Sequence, residues 1–143
     1  MAIDIPLPPQ AVECLRELHR LAGGSQWLLP ARKMQHRMIP HIHEGTLNVA
    51  LAKLRPLLPG FERFCVHDFR RTARTHLAAL GVDPHIAERS LNHKIKGVEG
   101  IYNRHDYFEE RGKALALWVS FLEGCEKGND WNVTPLKRAN SKR

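Results

Sequence analysis

Two imidazoles, a run of guanidiniums and a phenol are the side chains of this sequence whose types and spacing could do chemistry. His67 lies three residues before Arg70, His93 lies 23 beyond Arg70, and Tyr102 lies nine beyond His93. These are the groups that phosphoryl transfer to a tyrosine needs: cations to hold the phosphate, an imidazole to move a proton, a phenol to attack. Arg70, Arg71 and Arg74 are close together in His67-Asp68-Phe69-Arg70-Arg71-Thr72-Ala73-Arg74. Residues three and four apart share a helix face, so the cluster falls largely on one side of a helix. Such arginines repel one another unless an anion sits between them, and their forks match phosphate oxygens. Backbone N–H groups in the first turns of that helix would add to the attraction. The same charge spacing also fits a solvated basic face, and a single histidine or tyrosine fits an ordinary packing role.

Those groups need helices to position them. Residues 67–80 give the clearest pattern, with Phe69, Ala73, Leu77 and Leu80 as the expected buried side and Gly81 as its end. Upstream, a helical stripe runs from Pro9 to Ala22 through Val12, Leu15 and Leu18 and stops at Gly23-Gly24. Trp27-Leu28-Leu29-Pro30 reads as a short buried segment, and residues 31–43 read as a polar, His-rich loop. A second helix is expected over 44–58, broken near its end by Pro56. A short helix follows from Pro84 to about Leu91, and a long one from about Tyr107 to Glu123. The apolar face of the long helix is expected to be Leu115, Trp118, Phe121, Leu122 and Cys125. Ile3-Asp4-Ile5 alternates like the end of a strand. A lone strand is not stable, so its partners are expected upstream of this chain.

Length and charge narrow the class. At 143 residues there is room for one domain, expected over 1–126, followed by a basic, disordered tail over 127–143. Twenty-two Lys and Arg against 15 acids give +7, which points to a polyanionic partner. Eight Lys/Arg against four Asp/Glu over 63–105 give that stretch a local +4. No apolar run approaches a membrane span and no signal peptide opens the chain, so a cytoplasmic, nucleoid-associated protein without a membrane partner is expected. Cys14, Cys65 and Cys125 are too far apart for a disulfide framework or a metal pair. His41-Ile42-His43 with His36 nearby could bind Zn²⁺, but no acidic or cysteine partner lies at ligand spacing; no metal or other cofactor is expected.

The string His67-Asp68-Phe69-Arg70-Arg71-Thr72 resembles the HxxR box of tyrosine recombinases. Leu91-Asn92-His93 resembles their Leu-Gly-His box, and Gly100-Ile101-Tyr102-Asn103-Arg104 their nucleophile segment, at the family's distance from the histidine. Phage and prophage integrases match best, with versions that read HDLRRT, LNH and YNR. Ile5 to Leu21, Trp27 to Pro30 and Thr46-Leu47-Asn48 resemble the segments that precede the HxxR box, so the likeness covers roughly residues 3 to 123. It implies a mainly α fold: the C-terminal portion of the recombinase catalytic domain, with a remnant short β strand or hairpin at the N-terminus.

The resemblance also implies roles. Tyr102 would attack a scissile phosphodiester, with Arg70 on the non-bridging oxygens, His67 as proton acceptor or phosphate holder, and His93 bonded to a non-bridging oxygen. Arg71, Arg74, Lys94, Lys96 and Arg104 would contact the DNA backbone. The partner would be double-stranded DNA at attachment sites, with self-association into a synaptic tetramer, for which Leu115, Trp118 and Phe121 could dock on a neighbour or pack at home. Three departures stand out. The family's first catalytic arginine and its hairpin lysine lie upstream of the matched stretch, Lys33 does not match that lysine, and Asn92 replaces the common glycine. The chain alone is therefore expected to be inactive in cleavage. A non-catalytic DNA-binding module is the competing reading.

Overall fold

The structure, a computed structural model, describes residues 4–31, 39–93 and 105–129. The described residues hold five α-helices: α1 (Pro9–Leu21), α2 (Thr46–Leu54), α3 (Val66–Ala79), α4 (Pro84–Ser90) and α5 (Phe108–Glu126). The mainly α architecture is the expected one, and the helix ends fall at the expected punctuation. Pro56 lacks the N–H that would extend α2, and the chain tightens into a 3-10 turn over Arg55–Leu57.

The chain forms two compact units. One is Pro9–Arg70; the other joins the residues up to Pro8 with those from Arg71 onward. The boundary falls inside α3, between Arg70 and Arg71.

In the Pro9–Arg70 unit, α1 ends in Gly23 and Gly24, both at positive φ (61° and 81°). A lone antiparallel bridge pairs Pro30 with His41, carried by Ala31 N–H to the Pro40 carbonyl (2.9 Å) and Ile42 N–H to the Leu29 carbonyl (3.0 Å). Ala31 is the unit's one buried hydrophobic residue among those described. Trp27, Leu28 and Leu29 are more than a third exposed, so the segment expected to be buried is not; its backbone pairs while its side chains stay outside, with Trp27 against the His41 ring (centroids 4.9 Å apart). The apolar row of α2 is likewise exposed at Leu47 and Leu54.

The other unit holds the densest core: Leu77 of α3, Ala87 of α4 and Ala114 of α5, with Val82, Ile86 and Trp118 against them. Small residues at 87 and 114 let the helix axes approach closely. The end of α3 is a Schellman motif. Gly81 (φ 80°) donates to the Ala78 carbonyl and Val82 to that of Leu77, which returns Val82 onto the core. Asp83 caps α4 by accepting from the His85 and Ile86 N–H groups, ahead of Pro84.

Two sequence expectations fail on faces. Phe69 is 54% exposed, because its part of α3 precedes the core contacts made by Ala73 and Leu77; its ring meets that of Phe64 edge-on, with centroids 5.6 Å apart. On α5 the buried stripe is Arg111, Ala114, Phe121 and Gly124, while Leu122 is 45% exposed and Cys125 is exposed. Trp118 and Phe121 are occupied at home, stacked on the His76 ring (5.9 and 4.8 Å). Residues 4–8 form no strand among the described residues, and the Asp4 carbonyl accepts from buried Arg111 (2.6 Å). Residue 3 and the tail from 130 lie outside the described residues.

Candidate functional site

The α3 N-terminus carries His67 and Arg70. Cys65 precedes the helix, and Asp68, three residues on, accepts the Cys65 N–H (2.9 Å) as the return arm of a capping box. Asn48, on α2, accepts the Val66 N–H (2.9 Å). Two donors at the α3 start are therefore taken by side chains, and a carboxylate already sits in its first turn. At these two positions the backbone groups are therefore engaged within the protein and not offered to an anion. His67 is exposed and Arg70 half-buried. Asn48 and Asp68 were legible as polar residues, but their capping roles follow from tertiary placement and from the exact start of α3.

The other unit builds a second group of site residues. Arg71 is exposed on α3, and Arg74 follows one turn after Arg70, half-buried. Arg74 Nε donates to Glu88 Oε1 at 2.6 Å. The second oxygen of that carboxylate, Oε2, meets Nδ1 of His93 at 2.5 Å. Glu88 thus bridges an α3 arginine and the histidine that follows α4. The Arg74 guanidinium, first, holds the Glu88 carboxyl below its ordinary value of 4.5; burial opposes it, and the His93 ring adds to the lowering. Sequence reasoning assigned nothing to Glu88. Its position one helical turn before the Leu91-Asn92-His93 box was the available signal.

The backbone fixes His93 as firmly as the side chain does. Asn92 takes a left-handed conformation (φ 50°), its N–H donates to the Arg89 carbonyl (3.0 Å), and the His93 N–H donates to the Glu88 carbonyl (2.9 Å). This is a second Schellman motif, with Asn92 at the position that favours glycine. The geometry explains how asparagine stands where the integrase box has glycine: both tolerate φ near +50°. Replacing Asn92 by Gly is expected to leave stability nearly unchanged. Replacing it by Val is expected to cost about 1–2 kcal/mol, the penalty of a β-branched residue in that region, read as a lower urea midpoint.

The Glu88 bridge sets a pH dependence. A carboxylate with a depressed folded pKa stabilises the fold above its unfolded value, and that contribution is lost as pH falls through the folded value. The melting-temperature difference between wild type and Glu88→Gln should therefore be full at neutral pH and shrink from pH 4.5 downward. A constant difference across that window would show that the ion pair contributes nothing.

Beyond α4 the chain re-enters the described residues at His105. Tyr107 (φ 53°) has its ring against His85 (5.2 Å) and His105 (4.6 Å), with the Arg89 guanidinium over it at 5.3 Å. Arg89 Nε also donates to His85 Nε2 (2.7 Å). Tyr102, Lys94, Lys96 and Arg104 lie outside the described residues. Of the four expected catalytic side chains, the structure describes His67 and Arg70 in one unit and His93 in the other. Away from this region, His43 Nδ1 accepts the Gly45 N–H and His41 Nδ1 meets the Ile42 carbonyl; His36 is outside the described residues. Among the described residues no set of three His, Cys, Asp or Glu is placed to hold a metal ion. No helix among them is long and apolar enough to cross a membrane.

Comparison with known proteins gives a consistent signal. The chain is 29% identical over 126 residues to prophage integrase IntA of Escherichia coli (strain K12), which covers 87% of this chain and 29% of that protein. It is 26% identical over 133 residues to prophage integrase IntZ of the same strain, which covers 92% of this chain and 31% of that protein. No family model matches, and no solved structure matches. The chain spans about three tenths of the length of these curated relatives. Along nearly its whole length, the chain is thus similar to two prophage integrases.

Proposed function

We propose that this chain is the C-terminal part of the catalytic domain of a tyrosine recombinase that breaks and rejoins double-stranded DNA for integration or excision of a mobile element. The observation that carries the reading is the similarity to two prophage integrases along nearly the whole chain, over the stretch where His67, Arg70, His93 and Tyr102 occur in order.

The Tyr102 oxygen attacks the scissile phosphorus. The phosphorus–5′-oxygen bond breaks, giving a 3′-phosphotyrosyl link and a 5′-hydroxyl, and a 5′-hydroxyl of a partner strand reverses the step. The phosphodiester count is conserved, so the exchange needs no external energy source. Ionising a phenol of pKa near 10 at pH 7 costs about 4 kcal/mol. His67 offsets part of it by accepting the proton, and Arg70 stabilises the charge that grows on the non-bridging oxygens. His93 holds a non-bridging oxygen. Arg71, Arg74, Lys94, Lys96 and Arg104 place the duplex through its backbone. On this reading turnover also requires the family's upstream arginine and lysine, and synapsis brings four protomers together.

Covalent capture is the test. An integrase whose matching segment is exchanged for this chain is incubated with a nicked duplex that traps the 3′-phosphotyrosyl product. A DNA–protein band that survives denaturation supports the reading. A protein that retards the duplex in a salt-sensitive manner but never becomes linked is the DNA-binding module instead.

A further inference from the structure

We propose that Glu88 is a positioning residue, which grips His93 and Arg74 with its two carboxylate oxygens and presents them to a phosphodiester as one preset pair. The inference rests on the recombinase reading for the identity of the anion; the grip itself rests on geometry alone.

Glu88 holds His93 at two points. Its carbonyl accepts the His93 backbone N–H at 2.9 Å, and its carboxylate meets the ring at Nδ1. The left-handed Asn92 between them closes the turn that makes both contacts possible. A carboxylate on Nδ1 keeps a proton on that nitrogen and fixes the plane of the ring, so that a second proton on Nε2, at the opposite edge, is the one a phosphate oxygen accepts. The other carboxylate oxygen holds Arg74 by Nε, the nitrogen nearest the side chain's stem, so the guanidinium's two terminal nitrogens lie beyond the contact. The three residues come from α3, α4 and the turn after α4, all within one compact unit.

A negative charge beside a phosphate-binding histidine looks counterproductive. The carboxylate weakens the local field, so electrostatics alone predicts that its removal strengthens DNA binding. Positioning predicts the reverse. A glutamine has one acceptor oxygen; with that oxygen on the Arg74 Nε–H, its amide N–H faces His93, and the ring keeps the contact only by giving up its Nδ1 proton. The ring then carries one proton and no charge, or else one of the two partners is released; either way, what was preset must be supplied when the ligand binds. The two accounts differ in sign, which makes the substitution decisive.

The experiment uses the 143-residue chain, ¹⁵N-labelled, as wild type, Glu88→Gln and Glu88→Ala. Long-range ¹H–¹⁵N correlation reads which ring nitrogen of His93 carries the proton. Fluorescence anisotropy with a short non-specific duplex at fixed salt reads affinity. The wild type should keep the Nδ1 proton of His93 and carry a proton on Nε2 as well when the duplex binds, whereas both variants should lose the Nδ1 proton and keep only the Nε2-protonated form that free imidazole prefers. Duplex affinity should fall roughly 3- to 10-fold in both, despite the added positive charge. Glu88→Gln keeps the side chain's volume and guards against a folding defect in the alanine variant. An unchanged His93 signature in a folded variant, or an affinity equal to or above wild type, overturns the proposal. Failure of the recombinase reading looks different: Arg70→Ala then leaves duplex binding intact while the His93 signature still responds to Glu88.

Discussion

On the proposed recombinase reading, exchanging Tyr102 for phenylalanine in the chimeric integrase that carries this chain is expected to remove all covalent DNA capture while leaving duplex affinity within about twofold. The expectation follows from what the substitution changes: one oxygen, with the ring and its packing area kept. Phosphotyrosyl formation needs that oxygen as nucleophile. Affinity for a duplex comes mainly from the phosphate contacts of lysines and arginines, which are untouched. The split between capture and binding is therefore diagnostic. Tyr107, the chain's second tyrosine, is the internal control. Its ring is held between His85, His105 and the Arg89 guanidinium, so Tyr107→Phe should preserve capture. Residual capture in Tyr102→Phe that disappears only when Tyr107 is also replaced would move the nucleophile to 107. Capture that survives both substitutions would end the tyrosine mechanism.

The sequence announced helices better than faces. Pro9, Gly23-Gly24, Gly81, Asp83-Pro84 and the apolar spacing between them act locally: a proline at N1 or a glycine at positive φ fixes an end wherever the helix packs. Helices expected over 9–22, 67–80 and 84–91 were accordingly found at Pro9–Leu21, Val66–Ala79 and Pro84–Ser90. Burial is a property of partners. Phe69 and Leu122 continue a helical stripe and are still exposed, because neighbouring elements cover Ala73 and Leu77 on α3 and Arg111, Ala114, Phe121 and Gly124 on α5. The site divides in the same manner. His67, Arg70, His93 and Tyr102 were visible because their side-chain types and spacing carry chemistry. Glu88 and Asn48 were not, since their work depends on a carboxylate reaching α3 from α4 and an amide reaching α3 from α2. A charged residue inside a helix reads as solvated until a tertiary contact says otherwise.

Arg111 is the sharpest case of that blindness, and replacing it by alanine is expected to cost about 3 kcal/mol of stability. Its side chain is 1% exposed on α5, the most buried charge among the described residues. One terminal nitrogen donates to the Asp106 carboxylate (2.5 Å), the other to the Asp4 carbonyl (2.6 Å), while Nε finds no partner. The contact ties together residues 107 positions apart and holds the N-terminal segment, with Pro6 resting near Gly112 of the same helix. Charge-assisted bonds of this kind contribute about 1.5–3 kcal/mol each. Opposing them is the desolvation of the guanidinium, and the unpartnered Nε shows that this penalty is incompletely offset. Asp106 is half-exposed, so its charge is rehydrated when Arg111 is removed and is not stranded. These considerations separate two substitutions. Alanine loses the bonds and leaves a void, whereas methionine loses the bonds but fills the space and removes a buried charge, and should cost only about 1 kcal/mol. Urea unfolding of both variants, followed by far-ultraviolet circular dichroism, reads the difference. Equal losses would make the side chain a hydrogen-bonding clasp whose packing is immaterial. A methionine variant more stable than wild type would show that the clasp is held at a net cost to the fold, and that what it secures is the placement of Asp4 and Asp106, the latter four residues beyond Tyr102.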